Sequence, residues 1–359
     1  MPLKGNKGEW SEIYTLLKIL ADKELCSGDS NLNKIEKLMF PIIKVLREES
    51  EGTYEYSYKD NLIIIKNNAE VFNVPVLEFR KQAVVLFNEL LKSQKGAFSI
   101  PEIENFITSF GCNSLKAKSS IKSDIKIVIH DERTGMNPLL GFSIKSQLGM
   151  PSTLFNASQS SNFIYSINKK ISAEKIKEIN QINSKSKIRD RFESIASMKA
   201  DLIFEKVEDS TFSNNLILID SNLPEILAQL LIIFVKSKDT KISSLVSIIE
   251  KENPMKYDIS KNHKFYNYKI KRLLTDMALG MVSGRVWTGQ IDATGGYLVV
   301  KNNGDIVCYH IYNKNEFENY LFYNTKFETP SSSRNNFGKI YLENDKLFFK
   351  LNLQIRFIH

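Results

Sequence analysis

The sequence predicts an α/β (α+β) protein, because segments with helical spacing and segments with strand alternation occupy separate parts of the chain. Apolar residues recur at helical spacing near the N-terminus and again from Val76 to Leu91. Polar and apolar residues alternate in two central runs, Asp124 to His130 and Gly141 to Gly149. The last third contains further alternating runs with glycine and asparagine turns. These observations favour a sheet-containing core with helical additions before it and β-rich additions after it.

We expect three regions along the 359 residues. Residues 1–115 should form a mostly helical region with one β-hairpin, whose first helix packs on the core. Residues 116–240 should form the core, and residues 241–359 should add a helix and β-hairpins. A chain of this length can bury a large core and has room for about two or three subdomains.

The N-terminal region is predicted to contain several helices. The first helix presents apolar residues at helical spacing: Trp10, Ile13, Leu17 and Leu20. A second helix is expected from Asn31 to Arg47, with an interruption at Pro41. Alternating tyrosines before a β-branched run predict a hairpin over 52–66, and an amphipathic helix follows it. A last helix should begin at Pro101 with Ser99 as its cap.

The two central runs place polar side chains on one face. In the first run the isoleucines share one face and Asp124 lies on the other. In the second run Ser143, Lys145 and Gln147 share a face. If the runs pair across the turn between them, Asp124 meets Ser143 and Lys145 at one end of a sheet. A carboxylate can hold Mg²⁺ while a lysine orients a water beside a phosphate, so this face suits a metal and phosphate site.

A polar loop follows the second run and carries Asn156, Ser158 and Gln159. Such residues often serve only as helix caps or loop residues. Beside a phosphate-cleaving site they could instead donate hydrogen bonds to phosphates and base edges. Charged helices over 173–201 and an apolar helical stretch over 214–237 should complete the core.

The C-terminal third is basic and aromatic, with a helix expected over 264–279 and a hairpin turning at Asn303-Gly304. Two of its loops carry candidate nucleic-acid contacts: Arg285, Trp287 and Gln290 in the first, and Arg334 and Asn335 in the second. An arginine held between strands could reach into a groove, and a solvated loop arginine is an equally good interpretation.

Composition limits the classes of protein that fit. Lys and Arg number 49 against 41 Asp and Glu, so a formal charge of +8 weakly favours a polyanionic partner such as nucleic acid. Three widely separated cysteines argue against a disulfide framework or a zinc knuckle. The longest apolar run is too short to span a bilayer. We therefore expect a cytoplasmic protein with no membrane partner.

The Asp124 and Ser143-x-Lys145 pattern resembles the Asp…(Glu/Asp)-x-Lys nuclease core of many restriction endonucleases. Ser143 stands where that core usually has an acid, so one side-chain metal ligand is weakened or absent. Glu9, Glu12 and Glu104 are candidates to replace it, and Gln147 could act as a neutral oxygen ligand. The two glutamates near the N-terminus could equally do no more than complement a helix dipole on a solvated face.

Longer segments carry a closer resemblance. The opening residues 5–22, residues 31–48 and residues 141–158 are similar to the HpaII family of type II restriction endonucleases, and the similarity extends over essentially the whole chain. The resemblance implies a Mg²⁺-dependent endonuclease that cuts double-stranded DNA at CCGG after the first C and leaves a two-base 5′ CG overhang. It also implies a companion cytosine methyltransferase acting on the same site, and it is compatible with a homodimer.

Two other classes remain open from the residues themselves. A DNA-binding protein without catalysis would use the Asp and Lys face as an ordinary ion pair. A nuclease of other specificity would act on RNA or single strands.

Overall fold

The computed structural model describes residues 2–93, 96–116, 123–132, 134–291 and 294–358. Helices and several sheets are both present, which confirms the α+β class. The chain divides into two compact units. The first comprises Met1–Ser152 and Ile291–Tyr320, and the second comprises Thr153–Gln290 and Leu321–Ile358.

The helices are named in chain order. They are α1 (Lys7–Asp22), α2 (Val76–Lys92), α3 (Pro101–Thr108), α4 (Ala173–Gln181), α5 (Lys187–Ser197), α6 (Ser210–Ile219), α7 (Leu223–Lys236), α8 (Ile242–Glu252), α9 (Phe265–Leu279) and α10 (Lys314–Tyr323).

The strands are named in the same way. They are β1 (Glu24–Gly28), β2 (Lys34–Glu49), β3 (Gly52–Lys59), β4 (Leu62–Lys66), β5 (Val71–Pro75), β6 (Ile125–Ile129), β7 (Leu139–Ser146), β8 (Thr153–Phe155), β9 (Asn162–Ile167), β10 (Leu202–Val207), β11 (Gly296–Val300), β12 (Ile306–His310), β13 (Thr325–Phe327), β14 (Ile340–Glu343), β15 (Lys346–Asn352) and β16 (Ile355–Phe357).

One large sheet organises the first unit. Its strand order is β1-β12-β11-β7-β6-β2-β3-β4-β5. Strand β7 is therefore central, with β6 antiparallel on one side and β11 parallel on the other. Helix α1 packs against α2 and β7. The core includes fully buried Trp10 and Leu17 of α1, and burying each such side chain contributes about 1.5–3 kcal/mol.

The second unit contains two smaller sheets, ordered β10-β9-β15-β14 and β13-β16-β8. Helix α7 supplies much of its interior, because both faces of this helix are apolar. Leu223, Leu227, Leu231 and Val235 are all buried there.

Several sequence predictions are confirmed. The first helix, the hairpin at residues 52–66, the helix from Val76 and the hairpin at Asn303-Gly304 are all present. The central runs pair antiparallel as β6 and β7, with Ile125 opposite Phe142.

The predicted helix from Asn31 to Arg47 is wrong, because β2 occupies this stretch. It pairs with β1, β3 and β6, and those backbone hydrogen bonds outweigh the helical spacing of its apolar residues. Pro41 breaks no helix here. It lies beside a register irregularity in the ladder with β6, where a missing N–H is tolerated.

Two smaller features of the N-terminal region also differ from expectation. Ser99 does not cap α3, because the cap position is Ile100 and no side chain caps this helix. Residues 1–115 lie wholly in the first unit and contain β1–β5 as well as α1–α3. Residues 116–240 and 241–359 each contribute to both units.

In the described part of the chain, no single helix is long and apolar enough to cross a membrane. Helices α6 and α7 together have the length and apolar composition of a membrane span, but the chain bends by 104° between them.

Candidate active site

Pairing of β6 with β7 brings Asp124 and Ser143 into contact. The Asp124 carboxylate oxygen Oδ2 accepts a hydrogen bond from Ser143 Oγ at 3.1 Å and one from the Ile144 backbone N–H at 2.6 Å. The Asp124 backbone N–H donates to the Phe142 carbonyl at 2.9 Å. Two hydrogen bonds therefore orient this carboxylate, and the backbone bond holds Asp124 against β7 just before β6 begins.

Lys145 lies on the same face, two residues along β7 from Ser143. Its ammonium nitrogen Nζ is 4.9 Å from the ring centre of Tyr297, a cation–π distance. Burial lowers the pKa of Lys145, while the charges of Asp124 and Glu12 act in the opposite direction. Burial raises the pKa of Tyr297, and the charge of Asp124 adds to that rise. A partly desolvated cation thus sits beside a fixed carboxylate and a neutral phenol ring.

At two positions near this face, neighbouring atoms leave no room for a Cβ, so glycine is required there. A Cβ added to Gly141 would lie 2.8 Å from Ser123 Cβ. A Cβ added to Gly295 would lie 2.9 Å from the Gly141 carbonyl oxygen, which accepts the Gly295 N–H at 2.8 Å. Glycine at 141 therefore lets β7 pack closely against Ser123, and glycine at 295 lets the segment before β11 approach β7. In the parallel pairing of β11 with β7, Tyr297 lies in register beside Ser143.

Gln147 is engaged by the backbone of the neighbouring hairpin. Its N–H donates to the Val300 carbonyl at 2.9 Å, and its side-chain oxygen accepts the Asn302 N–H at 3.3 Å. In this arrangement Gln147 serves to hold the end of β7.

The three glutamates proposed to replace the missing acid have different surroundings. Glu9 closes a capping box by accepting the Asn6 N–H at 2.9 Å, and its other oxygen lies 3.2 Å from Lys116 Nζ. Glu104 accepts the Leu3 N–H at 2.9 Å. The charge of Glu12 acts on the Lys145 ammonium and raises its pKa. Glu12 therefore remains a candidate for the missing acid.

Among the described residues, no three His, Cys, Asp or Glu side chains form a group that could hold a metal ion. The oxygen atoms of Asp124 and Ser143 lie together, and Mg²⁺ needs few protein ligands. It usually keeps several waters and binds through one or two carboxylates plus substrate phosphates. The donors at this face therefore fit Mg²⁺ better than they fit a fully protein-coordinated ion.

The remaining candidates all lie in the second unit. Four are exposed side chains: Asn156, Gln159, Arg285 and Gln290. Arg334 is exposed as well, whereas Trp287 and Asn335 are buried. Ser158 is half-buried, and its hydroxyl lies 2.9 Å from that of Ser283.

A buried network of amides links the loops that carry these candidates. Asn352 Nδ2 donates to the Ser158 carbonyl and to Asn162 Oδ1, both at 2.7 Å. Asn162 Nδ2 donates to the Asn335 carbonyl at 2.9 Å. The contact between the hydroxyls of Ser158 and Ser283 connects the loop that carries Arg285 to this network. The structure therefore brings together three loops that are far apart in the sequence.

Sequence reasoning missed the residues that support both groups. Tyr297 belongs to an ordinary hairpin strand, and nothing local links it to Lys145. Asn162 and Asn352 are buried, although asparagine is usually exposed. Asn215 is buried too, and its side chain accepts the Trp287 N–H at 2.9 Å and donates to the Arg285 carbonyl at 2.8 Å. No sequence signal identifies a buried amide of this kind.

Comparison with known proteins now identifies the family. The HpaII restriction endonuclease family matches residues 6–357 of the chain. The chain belongs to this family. The type II restriction enzyme HpaII of Haemophilus parainfluenzae is 52% identical over 361 residues, which cover 99% of this chain and 98% of that enzyme. No solved structure matches.

As a member of the HpaII family, the protein is a type II site-specific deoxyribonuclease that acts on double-stranded DNA. Its site must therefore position a phosphodiester for hydrolysis and recognise a short sequence. The candidate residues fall into two groups, one in each unit.

Proposed function

We propose that the enzyme cuts double-stranded DNA at CCGG after the first C, in a Mg²⁺-dependent reaction that leaves 5′ CG overhangs. The observation that carries the catalytic part is the shared face of Asp124, Ser143 and Lys145 on β6 and β7. The 52% identity with HpaII supports the same recognition sequence. A companion cytosine methyltransferase that protects the same site, and a cytoplasmic location where the DNA is found, belong to the same proposal.

Asp124 and Ser143 would hold Mg²⁺, with Glu12 as the further acid. When bound, the ion supplies Lewis-acid stabilisation of charge on the phosphate. The Ser143 hydroxyl and the Ile144 N–H orient the Asp124 carboxylate, so its position does not depend on the ion.

Lys145 contacts the scissile phosphate and orients the water that attacks in line. Its ammonium group meets the negative charge that develops on the phosphate, and such electrostatic stabilisation is worth about 2.7–4 kcal/mol for a single preorganised donor. Partial burial strengthens this interaction because the local dielectric is lower than that of water.

The exposed side chains of the three loops joined by the amide network recognise the bases, and Arg285 and Arg334 are the main candidates. Guanine offers O6 and N7 acceptors in the major groove, and a bidentate arginine contact there is worth about 1–3 kcal/mol of discrimination. Exposed Asn156, Gln159 and Gln290 can supply further hydrogen bonds. A methyl group on cytosine would crowd this surface. Buried Trp287 and Asn335 hold the loops in place.

The catalytic part is tested by digestion of a sequenced plasmid with Asp124→Asn and Lys145→Ala. Each variant should lose cleavage while its circular dichroism spectrum and melting temperature stay near those of the wild type. Lys126→Ala is the matched control, because Lys126 lies on β6 and pairs with Glu48 at 3.4 Å. Mapping the ends of the wild-type products tests the cut position, and omission of Mg²⁺ tests the metal. Cleavage near wild-type rates by Asp124→Asn or Lys145→Ala would remove that residue from the site.

The recognition part is tested with the double variant Arg285→Ala/Arg334→Ala. We expect weaker preference for CCGG over a one-base variant duplex. If the preference is unchanged, sequence recognition lies elsewhere. If only overall affinity falls and the salt dependence becomes shallower, the two arginines contact phosphates.

A further inference from the structure

Positive charge is unevenly divided between the two units. The first unit has 22 Lys and Arg residues against 23 Asp and Glu, a formal charge of −1. The second unit has 27 against 18, a formal charge of +9. The whole net charge of the enzyme therefore resides in the unit that does not contain Asp124 and Lys145. Electrostatic attraction to a polyanion should act mainly on the second unit.

Two adjoining clefts on the second unit concentrate this charge. Their volumes are about 480 and 810 Å³, and both are lined by Lys187, Ser332 and Ser333. The cationic side chains around them are Lys185, Lys187, Arg189, Arg191, Lys326, Lys339 and Lys350. Glu328 is the one carboxylate among the described residues that line them, and it pairs with Arg356.

Some of these cations hold the walls of the clefts together. Arg191 donates to the carbonyls of Asn180 at 2.9 Å, Ile182 at 2.7 Å and Gly338. Lys350 pairs with Glu208. Arg191 ties α5 to the end of α4 and to the loop before β14, and Lys350 ties β15 to the segment after β10, so the clefts are built into the fold.

The other four lysines around the clefts differ from Lys350 in their surroundings. Within the described residues, Lys185, Lys187, Lys326 and Lys339 have no carboxylate within the 4.0 Å of an ion pair. Like charges that share a cleft repel one another unless an anion is bound, and a row of phosphates would relieve that repulsion. The hydroxyl groups of Ser332 and Ser333 add neutral donors of the kind that contact DNA phosphates.

We propose that these clefts bind the sugar–phosphate backbone of duplex DNA and so orient the recognition loops. This inference rests on the proposed function, because it assumes that the duplex is the substrate. Exposed Arg334 follows directly after Ser333. If Ser332 and Ser333 bind the DNA phosphate backbone, Arg334 would lie next to a groove of the duplex.

The test uses the triple variant Lys185→Gln/Lys187→Gln/Lys339→Gln of the full chain. A matched control, Lys251→Gln/Lys256→Gln/Lys261→Gln, removes the same charge from exposed positions of the same unit that line neither cleft. Binding of a fluorescent CCGG duplex and of a one-base variant is measured by anisotropy without divalent metal, over a series of salt concentrations.

The cleft variant should lose affinity for both duplexes by similar factors. The slope of log affinity against log salt should become shallower by about 0.9 for each phosphate that is no longer neutralised, so by up to about 2.7 for three lysines. The control variant should keep a slope near that of the wild type.

Three outcomes decide the matter. Equal slopes for the cleft and control variants would overturn the proposal. A change in CCGG preference at an unchanged slope would overturn it as well, because it would assign the clefts to base reading. Failure of the wild type itself to bind or cut a CCGG duplex would refute the proposed function, which is a separate failure.

Discussion

The ammonium group of Lys145 lies over the ring of Tyr297 on the face that carries Asp124. This arrangement places a cation in a partly desolvated position beside an aromatic ring. Burial lowers the pKa of Lys145, and the carboxylates of Asp124 and Glu12 oppose that effect. The pKa of Lys145 therefore depends on the balance between its burial and these two carboxylates.

The first prediction concerns the titration of Lys145. By NMR of side-chain-labelled lysine in the free enzyme, Lys145 should titrate below the usual lysine pKa of about 10.4. Asp124→Asn should lower its pKa further, because the carboxylate favours the charged form. A titration at or above the range of the exposed lysines would contradict this.

The same shift has a consequence for stability. A lysine whose pKa is lower in the folded than in the unfolded chain disfavours folding while it is charged in both states. This cost is therefore fully present below the folded pKa, and it is relieved as the pH rises through that pKa towards the unfolded value. Lys145→Met should remove this part of the pH dependence of unfolding, measured by denaturant titration at several pH values.

The second prediction concerns Tyr297. We expect Tyr297→Phe to keep most of the cleavage rate, because the ring remains. Tyr297→Leu should lower kcat by about threefold or more with a smaller change in KM, since a cation–π contact is worth about 0.5–2 kcal/mol. Tyr297→Leu should also move the pKa of Lys145, which poorer packing elsewhere would not do. Equal activity of the Phe and Leu variants would show that the ring does not position Lys145.

At the scale of elements, hydrogen bonds among buried and half-buried residues link three loops of the second unit. The segments after β8, before β11 and before β14 meet through Ser158, Ser283, Asn162 and Asn352. Fixed loops give up less conformational entropy when DNA binds, and this favours affinity and accuracy. If these loops read the bases, the accuracy of recognition should depend on the buried side chains that link them.

The third prediction follows from this network. Asn352→Ala leaves the carbonyl of Ser158 and the side chain of Asn162 without this donor, so the free energy of unfolding should fall by about 1–3 kcal/mol. Preference for CCGG over a one-base variant should fall as well, at a temperature where the variant is fully folded. Asn168→Ala is a suitable control, since Asn168 bonds the exposed Asp201 outside the network. Unchanged preference in Asn352→Ala would separate the network from recognition.

At the scale of the whole molecule, the two units differ in charge and in the candidate residues they contain. The near-neutral first unit contains the candidate catalytic face, and the second unit contains the net positive charge and the candidate reading loops. If the proposed function is right, the first unit should bind non-specific DNA weakly by itself, because it has little positive charge to offer the phosphates.

The fourth prediction concerns assembly. CCGG reads the same on both strands, and each chain offers one candidate catalytic face. Two-fold symmetric sites are commonly bound by two-fold dimers. We therefore expect two chains on each CCGG duplex, measured by light scattering with Asp124→Asn to prevent cleavage. One chain per duplex, together with a nicked plasmid intermediate that accumulates during digestion, would indicate sequential cutting by a monomer.

The sequence by itself determined most local elements and the pairing that brings Asp124 to Ser143. Alternation within β6 and β7 is a local property, and Asp124 and Ser143 are only 19 residues apart, so a short antiparallel pairing was enough to bring them together. The same local reasoning failed for β2, because neighbouring strands from other parts of the chain decide its backbone conformation.

Only the tertiary structure decided which residues support these elements. Tyr297 reaches Lys145 through the parallel pairing of β11 with β7, and Asn162 bonds Asn335 across 173 residues of sequence. Periodicity reports which face of an element is apolar, but it carries no information about which distant element covers that face. Burial of an asparagine becomes favourable only when such a distant partner satisfies its hydrogen bonds. The contact between Asp124 and Ser143 could therefore be predicted from the sequence, whereas the ring beside Lys145 and the buried amides that link the loops required the fold.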